Sequence, residues 1–170
     1  VIWTLSMLQF KKKSFNQIKI HSQYSICEGA LKIENLKEYC KKNKIQSVGL
    51  SDTYNLSGAL EFSENISSVG TQPIIGSQVQ FKFKNTYGII PLIAKNYNGY
   101  KNIIELSSKA YLENVDNDQP HCSIEDLTKY SDGIIVLSGA INNLIGNMFN
   151  KGLFEELDEL ITILNNNFKE

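Results

Sequence analysis

The chain has 170 residues, enough for a single core of ordinary domain size. It is 42% apolar and 21% charged, a globular composition, and 17 basic against 18 acidic residues leave a formal charge of −1. That balance argues against a domain built mainly to grip a phosphate backbone, and no apolar run approaches the ~20 residues that span a bilayer.

Residues 1–14, VIWTLSMLQFKKKS, place their apolar part before their lysines, the reverse of a signal peptide. They read as a leader of doubtful meaning, with Met7 a candidate natural start. Lys11 to Lys13, like Lys41, Lys42 and Lys44, read as a solvated face, with a weak nucleic-acid arm as the alternative for the first run. Residues 17–21 then alternate as a short strand ending at His21, with Lys19 on the same side. A polar turn carrying Ser22, Tyr24, Ser25 and Glu28 follows.

Ile33, Leu36, Tyr39 and Cys40 predict one face of a helix over 33–44. IQSVGLSD, 45–52, predicts a strand ending in Ser51 and Asp52, and 55–70 a helix stopped by Gly70. Residues 73–84 alternate as a strand, with Val79, Phe81 and Phe83 on one face and Gln78, Gln80, Lys82 and Lys84 on the other. Residues 87–96 predict its partner, where Pro91 suggests an edge position or a bulge. A helix over 98–114 carries Ile103, Ile104, Ser107, Ala110 and Tyr111 at helical spacing, and 114–122 reads as a loop. Ser-x-x-Asp opens a helical segment at 123–130. GIIVLSG, 133–139, predicts a buried strand, and the closing amphipathic helix places Leu157, Leu160, Ile161, Leu164 and Phe168 on one face. This alternation implies an α/β fold with a mostly parallel sheet, open or closed into a barrel. Chemistry in such folds sits at the C-terminal ends of strands, which singles out His21, Asp52, Gln78 and Ser138.

Cys27, Cys40 and Cys122 lack CxxC spacing and are odd in number, which reads as free thiols in a reducing cytosol. A hydrolytic metal centre needs several converging imidazoles and carboxylates, and the chain has two histidines. His121 lies in a polar stretch and reads as a surface residue, while His21 at a strand end is the better candidate. Asp52 is either a helix N-cap or a ligand left from a metal site. Gly139 and Gly146 are isolated and match no phosphate-loop template, and Ser138 has no visible base, so it reads as a turn residue. The residues alone therefore give a cytosolic α/β domain with a mostly neutral site face and no catalytic set.

Five segments, in this order and spacing, carry a family resemblance: KIHSQYSICEGALKIENL, VGLSDTYNLSGALEFSE, QPIIGSQVQF, PLIAKNYNGYKNIIELSSKAYLEN and SDGIIVLSGAINNLIG. From about Phe15 to the end, the chain resembles the N-terminal PHP (polymerase and histidinol phosphatase) domains of bacterial DNA polymerase III alpha subunits. The resemblance implies a PHP-type distorted β/α barrel of about seven strands, C-terminally incomplete here, with residues 15–170 as the domain. Metal-binding members carry His-x-His on the first strand, Asp-His after the second, and Glu after an Ile-Gly step. At those positions this chain has Lys19 and His21, Asp52 and Thr53, and Gln78, with Glu28 acidic where many relatives are. The resemblance thus marks Lys19, His21, Glu28, Asp52, Thr53 and Gln78 as a remnant site, with no catalytic residue and no metal.

A +2 ion about 4 Å from an ammonium would be repelled by roughly 8 kcal/mol at an effective dielectric near 20. Lys19 is therefore expected to stand in for the metal, paired with Asp52 or Glu28. The implied function is a structural and partner-docking domain of a DNA-directed DNA polymerase, a nucleotidyltransferase. The palm carboxylates and Mg²⁺ of that enzyme lie outside this segment, which itself needs no cofactor. The implied partners are the polymerase core of the same polypeptide and the proofreading 3′–5′ exonuclease subunit, with DNA met only through the full polymerase and no membrane. The alternatives are a metal-dependent PHP-family phosphoesterase and a stand-alone binding module.

Overall fold

A computed structural model describes residues 15–113 and 119–168, so the leader at 1–14 and part of the 114–122 loop lie outside the described residues. The elements run α1 (Ile33–Asn43), β1 (Ser47–Thr53), α2 (Ala59–Ser67), β2 (Gln72–Phe83), β3 (Thr86–Ala94) and α3 (Tyr97–Leu112). After them come β4 (Cys122–Ser123), α4 (Ile124–Lys129), β5 (Ile134–Val136), α5 (Leu144–Asn150) and α6 (Phe154–Asn167). The sheet is ordered β1-β2-β3-β5, and the two residues of β4 pair with the far end of β2.

The sheet is mixed, which corrects the expectation of a mostly parallel one. β1 runs parallel to β2, but β2–β3 and β3–β5 are antiparallel. The reason lies in the short Lys84–Asn85 connection, which forms a hairpin and leaves no room for a crossover helix. Five strands are named among the described residues, against the seven or so that the resemblance implies. Residues 17–20 lie along the outer edge of β1 as a single bridge, Ile20 to Leu50, rather than as a full strand. The chain can run so close there because residue 49 is glycine: a Cβ would sit 2.5 Å from the Ile18 carbonyl oxygen.

Paired residues of neighbouring strands share a face, so the register sorts the sheet into two sides. Leu50, Ile75, Val79, Phe81, Ile90 and Leu92 face one side. The helices cover that side in two apolar clusters, one formed with α1 and α2, the other mainly with α3, α5 and α6. Thr53, Gln78 and Gln80 face the other side, and the two glutamines are nonetheless buried. Alternation in β2 is therefore as the sequence predicts, but Gln78 and Gln80 on its polar side are covered and the side returns to solvent at Lys82.

Several boundaries and faces differ from the sequence expectation. α2 starts at Ala59 rather than Asn55, because the Asn55 side chain accepts from the Ser57 N–H and donates to the Tyr24 and Thr53 carbonyls, folding 55–58 as a turn. The buried face of α3 is Gly99, Ile103, Leu106 and Ala110, while Ile104 and Tyr111 are exposed. In α6, Leu157, Leu160 and Leu164 are buried but Ile161 is exposed. Only Ile134 of β5 is buried, and among the described residues the strand pairs with β3 alone. Pro91 sits inside the sheet, neither at an edge nor in a bulge. Its carbonyl accepts from the Leu137 N–H, so its missing N–H points to the β5 side, beyond the last paired residue, Leu92. His121 is buried at 6% exposure, edge-on to the Tyr87 ring, which corrects its expected surface position. Residues 144–150 form α5, a helix that the sequence expectation does not include.

Candidate functional site

β1 ends alongside the middle of β2, and their register sets Thr53 directly across from Gln78 on the face away from the helices. The 17–20 segment delivers His21 to the same place. Its backbone bonds to Gly49 and Ser51 bring the chain past the end of β1. The turn that follows is closed by Ser25 N–H to the Ser22 carbonyl and by Glu28 and Gly29 N–H to the Ser25 carbonyl, which returns Glu28 to the site. Five of the six expected residues therefore meet here: His21, Glu28, Asp52, Thr53 and Gln78.

The hydrogen bonds form one directional network. The Gln78 amide donates to Thr53 Oγ1 at 2.9 Å and lies 3.3 Å from His21 Nε2. Thr53 Oγ1 in turn donates to Glu28 Oε2 at 2.6 Å. Because the Gln78 nitrogen is a donor, His21 Nε2 must accept, and the network assigns the ring proton to Nδ1. That nitrogen lies 3.3 Å from Ser25 Oγ and 3.5 Å from Glu28 Oε2.

Ser25 Oγ accepts from the Thr53 N–H and donates to Asp52 Oδ1 at 2.6 Å. Asp52, 1% exposed, also accepts from the Ser22 N–H and the Ser22 hydroxyl, both at 2.7 Å. Asp52 thus ties the 22–25 turn to β1. It does not cap α2, whose N-cap is Gly58.

Lys19 does not take the place expected of it. Its side chain is exposed, and it forms no ion pair with Asp52 or Glu28 among the described residues. Neutral donors occupy those carboxylates instead: Ser22 and Ser25 on Asp52, Thr53 on Glu28. Ser138 is exposed, away from this network. The sequence marked the serines only as a polar turn; their pairing with Asp52 spans 27 to 30 residues, which no local pattern reveals.

As arranged, these residues do not fit a hydrolytic divalent cation. Such an ion wants four to six free oxygen or nitrogen donors. Here Asp52 already accepts three hydrogen bonds, His21 Nε2 faces an amide N–H, and the Thr53 hydroxyl is spent on Glu28. Among the described residues no group of three His, Cys, Asp or Glu side chains is placed to hold a metal ion.

The mouth of the site is a cavity of about 160 Å³ lined by Ile26, Glu28, Thr53, Tyr54, Asn55 and Tyr111. Tyr54 has a left-handed backbone (φ 63°), and its hydroxyl donates to Gln80 Oε1 at 2.9 Å. Burial, then the nearby Glu28 and Tyr111, raises its phenol above the ordinary value. Tyr24 donates to Glu61 at 2.7 Å, and that bond and charge raise its phenol as well. Sequence reasoning missed Tyr54 as a wall of the site and noted Tyr111 only for its helical spacing with Ile103 and Ala110.

A search of known proteins agrees with this architecture. The chain is 35% identical over 157 residues to the DNA polymerase III subunit alpha of Borreliella burgdorferi, covering 85% of this chain and 14% of that protein. It is 34% identical over 160 residues to the DNA polymerase III subunit alpha of Pasteurella multocida, covering 92% of this chain. The chain thus spans 14% of the length of these relatives. Among solved structures, a candidate metal-dependent phosphoesterase from Bifidobacterium adolescentis superposes with a TM-score of 0.52 at 11% identity, over 89% of this chain and 83% of that one. At that identity the likeness is one of fold. The PHP domain model matches residues 17–170, and the chain belongs to the PHP domain family.

Proposed function

We propose that this chain is the PHP part of a replicative DNA polymerase III alpha subunit, acting in the cytoplasm as a brace and docking platform without chemistry of its own. The observation that carries this is the length of the similarity to alpha subunits, 85% to 92% of the chain at 34–35% identity. DNA synthesis, with its Mg²⁺ and palm carboxylates, belongs to the polymerase core of the same polypeptide, and DNA is met only through that core. A docking role toward the proofreading 3′–5′ exonuclease subunit is part of the same proposal.

The saturated network around Asp52 supports a remnant metal site whose ligands have been exchanged for neutral hydrogen-bonding groups. Two assays test the proposal. The polypeptide that carries this chain should extend a primed DNA template and retain the exonuclease subunit on a sizing column. The 170-residue chain itself should show no hydrolysis of p-nitrophenyl phosphate with added Mn²⁺ and no stoichiometric Zn²⁺ or Mn²⁺ by elemental analysis. Mn²⁺-dependent turnover that is lost in His21→Ala would instead establish a phosphoesterase.

A further inference from the structure

We propose that the cavity at the mouth of the site binds one alkylguanidinium group, the side chain of an arginine carried by a protein partner. This rests on the reading above that no metal occupies the site. Glu28 is the one charged residue lining the cavity. Its Oε2 accepts from Thr53, whereas no described residue donates to Oε1, so half of a partly exposed carboxylate remains available. An anionic ligand would meet that charge with no lysine or arginine in the lining to offset it. A divalent ion would lack further free donors. A monovalent organic cation suits what is present.

Two tyrosine rings select among such cations. Tyr54 is anchored through its hydroxyl to Gln80, and Tyr111 stands 57% exposed on α3 across the cavity. A guanidinium is planar, is more weakly hydrated than an ammonium, stacks on aromatic faces, and meets a carboxylate through parallel N–H donors. Ile26, in the lining and 84% exposed, adds an apolar surface at the opening, suited to the methylene stem and flanking residues of a protein segment. That rim is the reason to place the guanidinium on a protein rather than on a free metabolite.

The test is an NMR titration of the 170-residue chain with an acetylated Leu-Arg-Leu amide, its citrulline counterpart, and agmatine. The arginine peptide should shift the Thr53, Tyr54 and Tyr111 signals saturably. Binding should weaken about tenfold for citrulline, for Glu28→Gln and for Tyr111→Ala, from loss of a charge-assisted pair or a stacking face. Circular dichroism of both variants should match the parent, since both side chains are on the surface. No saturable binding, equal binding of citrulline, or full affinity in both variants would overturn the proposal, and agmatine binding as tightly as the peptide would overturn the protein source. Mn²⁺ added to the same sample separates the two readings. Selective broadening of His21 and Asp52 signals would overturn the metal-free reading; no broadening together with no arginine binding would overturn this inference alone.

Discussion

At the scale of single residues, the site depends on Asp52. Its carboxylate accepts from one backbone N–H and two hydroxyls inside the protein, so removing it leaves three donors to be re-satisfied. Stranding buried donors costs about 1–3 kcal/mol each, less where a hydroxyl can turn to another acceptor. Asp52→Ala should therefore lose roughly 3 kcal/mol of stability in urea denaturation. Asp52→Asn, which keeps one acceptor oxygen, should lose about half of that. An Asp52→Ala protein as stable as the parent would show that the turn is held by other means. The cysteines offer a second check at this scale. Burial pushes the Cys122 thiol up to about 12, Cys40 is also buried with its thiol raised by burial, and Cys27 is exposed. A thiol reagent should label one cysteine quickly in the native chain and all three after denaturation. Residue identity marked Lys19, Thr53 and Gln78 as departures from the expected ligand types, but not which groups would satisfy the carboxylates. Lys19 looked like the substitute because it carries the right charge. The structure satisfies the carboxylates with serine and threonine hydroxyls, which bring donors without the desolvation cost of an ammonium.

At the scale of elements, the legible features were those set by local chemistry. The Ser-x-x-Asp signal at 123–126 is realised as a reciprocal capping box: Ser123 Oγ accepts from the Asp126 N–H, and the Ser123 N–H donates to Asp126 Oδ2. What the local pattern could not reveal is that Lys109, from α3, reaches Asp126 Oδ1 at 3.1 Å while also pairing with Glu113. Partial burial opposes ionisation of Asp126, but the Ser123 and Lys109 bonds outweigh it and hold the carboxyl below its ordinary 3.8. A carboxyl depressed in the folded state contributes stability that is present above 3.8 and is lost as pH falls through the lower folded value. Stability measured from pH 6 down to pH 2 should accordingly fall less steeply in Asp126→Asn than in the parent. At neutral pH, Ser123→Ala should cost about 1 kcal/mol, the usual loss for an N-cap. Parallel acid profiles for Asp126→Asn and the parent would remove Asp126 from the account. The helix faces were less legible than the caps. In α3, Tyr111 and Ile104 mimic an apolar stripe one position from the true one, because residues 103 and 104 are both isoleucine and periodicity alone cannot choose between them.

At the scale of the whole molecule, the two apolar clusters lie on the same side of one sheet yet remain distinct. Along β2 the residues facing the helices run Ile75, Ser77, Val79, Phe81 and Phe83. Ile75 packs with the α1–α2 cluster, and Val79, Phe81 and Phe83 belong to the larger one. Between them stands Ser77, buried, with its hydroxyl donating to the Asp52 and Asn55 carbonyls. The interruption was visible in the sequence as a polar residue in an alternating strand. Its meaning was not, because the two carbonyls it binds come from the end of β1 and the turn before α2. A polar bridge between two packed clusters should let each relax without disturbing the other. Ile66 and Ile103, each fully buried, one per cluster, supply the test. Ile66→Val and Ile103→Val should each cost about 1 kcal/mol, and the double variant should equal their sum within ~0.5 kcal/mol. The denaturation should stay a single transition, because β2 runs unbroken through both clusters and ties their unfolding together. A coupling above 1 kcal/mol would mean that the clusters act as one core across Ser77. Two separate transitions would mean that β2 fails to join them, and that the α1–α2 side can open alone, carrying the His21–Asp52 network with it.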